Sequence, residues 1–352
     1  MKKNAGVFNL LLTAAIFLLL SGCRKSLVEN QTDPLLGTGK QAKTLTTLGV
    51  PPDVYVAGSE GGQAKYWKNG LGVVLSGGEQ ANGIVAIGTD VYVSGWGHDP
   101  TTHNFVAKYW KNGVLTNLSD GTDNVLTNGI AVLGTDVYIA GTAGAWVRNA
   151  VYWKNGVITS LGSGQCDGIF VAPNGDIYIP NGAYGGATYW KNGTLVTLST
   201  TATQYINAIT VQGSDVYAVG VNDIGNHQTA LYWKNGSLGF LTTSSNFTDA
   251  MAIAVSATGR VFISGTTGPA IGNLQIGYWT PLGDLNIISS GEFVALTTGI
   301  AIDGDENVYI CGSEFNSVST PPARAKYWVN GQVVNLSSGT TDATALAITL
   351  GQ

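Results

Sequence analysis

Ala64-Lys65-Tyr66-Trp67-Lys68-Asn69-Gly70 is written once and then echoed six times along the chain. Its Tyr-Trp pair returns at Tyr109-Trp110, Tyr152-Trp153, Tyr189-Trp190, Tyr232-Trp233, Tyr278-Trp279 and Tyr327-Trp328. The tryptophans are spaced by 43, 43, 37, 43, 46 and 49 residues, in the range of propeller blades, roughly 40–50 residues. One unit, from Asn128 to Leu161, reads as four strand-like runs separated by turn signals. We label them a to d outward from a central axis: Gly129 to Leu133, Asp136 to Ala140, Ala150 to Trp153 and Val157 to Leu161. Strands c and d meet at Asn155-Gly156, a pair suited to a type I′ hairpin because both positions accept positive φ. Asn-Gly recurs at Asn69, Asn112, Asn192, Asn235 and Asn330, whereas the sixth unit has Thr280-Pro281-Leu282-Gly283 and calls for a longer loop. Seven copies predict an all-β fold: a seven-bladed β-propeller of four-stranded blades.

The register within a unit follows from which residues repeat. Strand a is apolar on both faces, as in Gly83-Ile84-Val85-Ala86-Ile87, the pattern of a strand covered on both sides. It opens on a small residue each time: Gly83, Gly129, Gly168, Ala208, Ala250, Gly299 and Ala345. Strand b carries Tyr55, Tyr92, Tyr138, Tyr178, Tyr217, Phe262 and Tyr309 in register. These rings and the repeat tryptophans are expected to be core, packed between neighbouring blades. The first unit starts at strand b, and Ala345 to Leu350 forms an orphan strand a. Pairing that C-terminal strand with the N-terminal blade would close the fold and cover two sheet edges.

Composition narrows the function classes. The chain has 352 residues, 49 glycines, 17 Lys and Arg and a net charge of −5, which argues against tracking a nucleic-acid backbone. Three cysteines make no disulfide framework. Lys2 and Lys3, an apolar run from Val7 to Leu20, and Leu20-Ser21-Gly22-Cys23 form a targeting segment. Its ending resembles the lipobox of bacterial lipoproteins. The resemblance implies a signal peptide over residues 1–22, lipidation of Cys23 and anchoring to a membrane through acyl chains. Arg24 after the cysteine resembles sorting to the outer membrane, on its periplasmic face or at the cell surface. Residues 23–50 are polar and read as a flexible tether, with the propeller over 51–352. The Ala-x-x-Trp-x-Asn-Gly segments resemble HAF-type extracellular repeats, although the His that opens that motif is replaced by Gln63, Val106 and Asn149. That resemblance implies an extracellular propeller and transfers no catalytic residue.

Strand order puts the a–b and c–d turns on one face and the b–c and d–a loops on the other. The a–b turns are short and uniform (Gly88-Thr89-Asp90, Gly134-Thr135-Asp136), while the b–c loops vary, as binding loops on a rigid scaffold do. The b–c loops hold all three histidines, His98, His103 and His227, with Trp96, Trp146, Arg148 and Tyr184. A polar residue precedes each strand a: Asn82, Asn128, Asp167, Asn207, Asp249, Thr298 and Thr344. These residues are expected to line the mouth of a central channel, where Asn and Asp either cap loop backbone or meet a ligand. No metal site or cofactor is implied: His98, Asp99 and His103 lack a fourth ligand, and Asp303 to Asn307 reads as a turn because Val308 stands where a calcium loop needs Gly. Lys68, Lys111, Lys154, Lys191 and Lys234 read as solvated, edge-protecting residues. The expected function is capture of a glycan or protein by the variable-loop face. The alternative is a polysaccharide hydrolase or lyase acting at the channel mouth, though no set of catalytic groups is evident.

Overall fold

The computed structural model describes residues 51–144, 148–183, 185–225, 227–241, 247–269, 273–280, 284–291, 294–316 and 322–351. Cys23, the targeting segment, the tether, Trp146 and Tyr184 lie outside the described residues. The described residues form 28 strands and no helix. They fall into four-stranded antiparallel groups. The first group is β1 (Val54–Glu60), β2 (Gln63–Lys68) and β3 (Leu71–Val74), with β28 (Ala343–Leu350) on its inner side. The second is β4 (Gln80–Ile87), β5 (Asp90–His98), β6 (Phe105–Lys111) and β7 (Val114–Asn117). The third is β8 (Val125–Leu133), β9 (Asp136–Ala143), β10 (Asn149–Lys154) and β11 (Val157–Ser163). The fourth is β12 (Phe170–Val171), β13 (Ile177–Asn181), β14 (Thr188–Lys191) and β15 (Thr194–Thr197). Next come β16 (Gln204–Gln212), β17 (Asp215–Asp223), β18 (Gln228–Lys234) and β19 (Ser237–Phe240), then β20 (Phe247–Val255), β21 (Val261–Gly268), β22 (Gln275–Trp279) and β23 (Leu285–Ile287). The last group is β24 (Val294–Ile302), β25 (Val308–Phe315), β26 (Arg324–Val329) and β27 (Gln332–Asn335).

Two features depart from independent repeats. The fifth and sixth groups join into one eight-stranded sheet through a single parallel pair, Gln228 with Phe247. In the fourth group the inner strand shrinks to Phe170–Val171 and an isolated bridge from Cys166 to Asn181. Pro180 lies in β13 between those two pairings. It has no N–H to give the ladder, and the pairing lapses beside it. The C-terminal strand pairs with β1 from Leu350 opposite Val54 to Ala343 opposite Glu60, as expected.

The repeat motif explains itself at the turns. The asparagines of the six Asn-Gly pairs have φ of 49° to 51° and their glycines 81° to 84°, the double positive φ of a type I′ hairpin. Each asparagine Oδ1 accepts an N–H at the start of strand b, for example Val91 at 2.8 Å and Val137 at 2.9 Å. In five groups its Nδ2 donates to the aspartate just before that residue, as Asn112 does to Asp90 and Asn155 to Asp136, both at 2.8 Å. The lysine before the asparagine pairs with the same carboxylate, 2.9 Å for Lys111 and 2.8 Å for Lys154. Its ammonium also lies over the strand-b tyrosine ring, 5.0 Å from Tyr92 and 5.1 Å from Tyr138. These lysines are therefore not simply solvated: each ties a hairpin to the turn and ring beside it. The hydrogen bonds from Asn112 and Lys111 hold the Asp90 carboxyl down to about 2.

Seven hydrophobic clusters form the core; six unite residues of two consecutive groups and the seventh unites the last group with the first. One of them joins β25 and β26 to β1, β2 and β28. The repeat tryptophans are its bulk: Trp67, Trp110, Trp153, Trp233, Trp279 and Trp328 are each almost fully buried. Close approach fixes the small residues beside them. A Cβ on Gly95 would sit 2.1 Å from the Gln80 carbonyl oxygen and 3.0 Å from the Trp110 ring. Cys166 and Cys311 are free and buried, and burial pushes both thiols up to about 12.

Candidate functional site

Each regular inner strand carries a register shift near its start. The extra residue is Asn82, Asn128, Asn207, Met251, Thr298 or Leu346. A β-bulge of this kind turns one side chain out of the ladder. All six line one cavity of about 790 Å³, together with Arg148, Gln165 and Asp167. Four of the six bulge residues also bridge to the next inner strand. Asn82 donates to the Thr127 carbonyl and Asn128 to that of Cys166. Asn207 donates to Ala250 O at 2.9 Å and Thr298 to Ala345 O at 2.8 Å. These four polar residues before strand a therefore do hold backbone, but backbone of the neighbouring group rather than of their own loop.

Two positions need correcting. Asp249 and Thr344 do not line this cavity; Met251 and Leu346 take the equivalent bulge positions, two residues later. Asp249 instead accepts the Thr266 N–H at 2.7 Å, and burial raises its carboxyl to about 6 against that bond.

Where the fourth group lacks a full inner strand, the cavity gains its charged side. Arg148 Nη1 donates to Gln165 Oε1, and Gln165 Nε2 donates to Asp167 Oδ1 at 2.9 Å. Asn181 Oδ1 accepts the Gln165 N–H at 3.1 Å and fixes the bend. Desolvation raises the Asp167 carboxyl to about 6, opposed by the Gln165 bond and the Arg148 charge. Gly182 makes room for it, since a Cβ there would fall 1.5 Å from Asp167 Oδ2.

A second cavity of about 260 Å³ shares Asn128, Arg148 and Gln165 with the first and is lined further out by Phe105, Asn124 and Thr142. Phe105 belongs to an aromatic cluster on the β5–β6 hairpin. Its ring lies 4.9 Å from Trp96, edge to face, and 4.6 Å from His98. Glu79 braces the cluster, accepting the His98 N–H at 3.1 Å and lying 2.8 Å from its Nδ1. Burial raises the Glu79 carboxyl, but the two bonds to His98 and the Lys108 charge outweigh it and hold the group below its ordinary value.

Of the residues singled out in the sequence, Asn82, Asn128, Arg148, Asp167, Asn207 and Thr298 meet in the larger cavity. Trp96 and His98 join through Phe105 to the smaller one. His103 is exposed at the loop tip with φ of 59°, and His227 is held in a separate turn by Ile224. Gln165 and Phe105 were not anticipated. Gln165 precedes an irregular strand that has no repeat to align with, and Phe105 reads as an ordinary strand residue. Among the described residues no three His, Cys, Asp or Glu converge as metal ligands.

No protein-family model matches the chain, and no curated protein matches it in sequence. Among solved structures, a protein from Desulfotomaculum acetoxidans described as functionally unknown is similar with a TM-score of 0.49 at 14% identity, covering 86% of this chain and 99% of that one. A polysaccharide lyase described as an ulvan lyase is similar with a TM-score of 0.48 at 12% identity, over 72% of this chain and 84% of the other. A prolyl endopeptidase is similar with a TM-score of 0.46 at 10% identity over 86% of this chain, which spans 50% of that protein's length.

Proposed function

We propose that the chain is a seven-bladed β-propeller, anchored outside the cytoplasm by a lipid on Cys23, that captures glycans on its irregular loop face. The blade count is supported by seven Tyr-Trp units. It is also supported by hydrophobic clusters that pass from group to group and return to the first. The pairing of β28 with β1 acts as the clasp. The lipobox-like Leu20-Ser21-Gly22-Cys23 supports the anchor and outer-membrane location.

One observation carries the binding reading. The two cavities share Asn128, Arg148 and Gln165, so a polar basin runs into an aromatic edge at Phe105, Trp96 and His98. Apolar faces beside a few convergent polar groups are the makings of a small-ligand site, and a sugar ring presents both kinds of surface.

The catalytic alternative has one specific observation in its favour: Asp167, raised to about 6 beside Arg148. Glycoside hydrolysis ordinarily uses two carboxyl groups flanking the bond, and Asp167 is the one carboxylate among the described residues lining the larger cavity. Incubating the full-length protein with a panel of cell-wall and algal polysaccharides, and measuring retention and new chain ends together, separates the two. Retention without new ends that is lost in Trp96→Ala/Arg148→Ala is the expected result. Accumulating chain ends would make the protein an enzyme.

A further inference from the structure

The opposite face carries crevices that the loop-face reading does not use. Between the second and third groups a crevice of about 330 Å³ is lined by Tyr92, Tyr109, Thr116, Leu118, Thr135 and Asn155. Between the fifth and sixth groups a counterpart of about 460 Å³ is lined by Tyr217, Tyr232, Lys234, Gly259, Thr280 and Asp284. The two share a design. A strand-b tyrosine and a strand-c tyrosine stand side by side, 6.4 Å apart and 27° from parallel for Tyr217 and Tyr232. The strand-b ring is committed, its hydroxyl donating to the turn aspartate at 3.1 Å for Tyr92 and 3.2 Å for Tyr217.

The strand-c ring is not committed in this way. Among the described residues the hydroxyls of Tyr109, Thr116, Thr135 and Tyr232 have no hydrogen-bond partner. Leu118, Val137 and Ile139 form an apolar wall to the first crevice. Its cation, Lys111, is already neutralised by Asp90 at 2.9 Å; in the second crevice Lys234 pairs with Asp215 at 2.8 Å and Arg260 with Glu306. A packing gap between diverging sheets would need no array of open hydroxyls, and a charged ligand would find no free countercharge in the first crevice. Open hydroxyls beside an apolar wall, in volumes near the lower end of small-ligand sites, suit a neutral ring with one C–H face and a hydroxylated edge.

We infer that the inter-sheet crevices at Tyr109 and Tyr232 each bind one neutral hexopyranose unit, at sites separate from the loop-face cavity. The inference does not depend on what the loop face holds. Repetition of the crevice would let one polymer engage both, converting weak single sites into avidity.

The test is saturation-transfer NMR on the full-length protein in a zwitterionic, sugar-free detergent, with free glucose, galactose and mannose as probes and glucuronate as the charged control. At least one neutral hexose should receive saturation and glucuronate should not. In Tyr109→Phe/Tyr232→Phe, which keeps both rings and breaks no bond of the fold, binding should weaken roughly threefold to tenfold, the worth of one hydrogen bond per site. Thr135→Val should weaken the first site alone. The same pattern, glucuronate included, should hold in a Trp96→Ala/Arg148→Ala background, where the loop-face site no longer contributes to the signal. No transfer to any hexose, equal transfer to glucuronate, or a signal removed by the Trp96/Arg148 pair and not by the tyrosine pair would overturn the inference.

Discussion

The Asn-Gly face and the loop face are built from the same strands yet obey different rules. On the first, five groups repeat one arrangement of aspartate, asparagine, lysine and tyrosine, with Lys–Asp distances from 2.7 to 3.1 Å. On the second the groups diverge: asparagine occupies three bulges, methionine, threonine and leucine one each, and the fourth group loses most of its inner strand. A repeated fold needs one solution per structural problem, so identical turns mark where stability is made. Variation survives where the scaffold already holds the backbone, and there it can serve recognition.

That contrast can be broken at several strengths. Deleting residues 343–352 should have the largest effect. It removes β28, exposes the inner edge of β1 and empties Ala343 and Ala345 from the core. The cooperative thermal transition followed by circular dichroism should be lost; a truncated chain melting like the intact one would refute the clasp. Next, Trp153→Ala should cost about 3–5 kcal/mol in denaturant unfolding, the range for emptying a large core side chain. Trp96→Ala, at a half-buried loop-face ring, should cost under about 1 kcal/mol. Similar losses for the two would erase the division between building and binding tryptophans.

Smaller substitutions sharpen it. Gly182→Ala should cost about 1–3 kcal/mol by overpacking. It should also displace Asp167 from Gln165, so that ligand retention falls more than stability alone explains. Asn155→Ala should cost about 1–2 kcal/mol, because alanine resists the φ of 51° and gives up the bonds to Val137 and Asp136. Its loop-face binding, read as exchange protection at Trp96 to Phe105, should be unchanged.

The smallest effect is in pH, and its sign differs between the faces. Asp167 and Asp249 titrate near 6 in the folded chain against an ordinary value of 3.8. The folded state therefore holds more protons between these limits, and stability from these groups should rise as pH falls through 6 toward 4. Asp90, lowered to about 2, works oppositely: its contribution is full above 3.8 and disappears as pH falls toward 2. A melting-temperature profile should climb slightly from pH 7 to pH 4.5 and drop below pH 4. The climb should vanish in Asp167→Asn/Asp249→Asn.

Much of the fold was legible because its signals are local. Tyr-Trp spacing, Asn-Gly pairs and the orphan strand from Ala345 each report a nearby geometric need, and the hairpins and terminal pairing follow them. The cavity was less legible. In β20 and β28 small residues stand both before and after the bulge, Ala250 and Ala252, Ala345 and Ala347. A two-residue slip keeps every side chain on the same sheet face, so hydrophobic pattern does not choose between them, and the sequence points to Asp249 where the structure has Met251. The lysines were misjudged for a different reason. Their partners come from the turn before strand b, some twenty residues away, and only the hairpin register brings Lys111 to Asp90 and Tyr92. The Arg148–Gln165–Asp167 chain has no repeat behind it and arises from the break beside Pro180.

The central claim, that the irregular face holds the main recognition site on a frame set by the repeated hairpins, is tested most directly by hydrogen exchange on the full-length protein with and without a polysaccharide that it retains. Protection should appear at Trp96 to Phe105 and across Gly164 to Gly182, with the Asn192-Gly193 turn unchanged. Exchange on the loop face that is the same with and without the retained polysaccharide would contradict it.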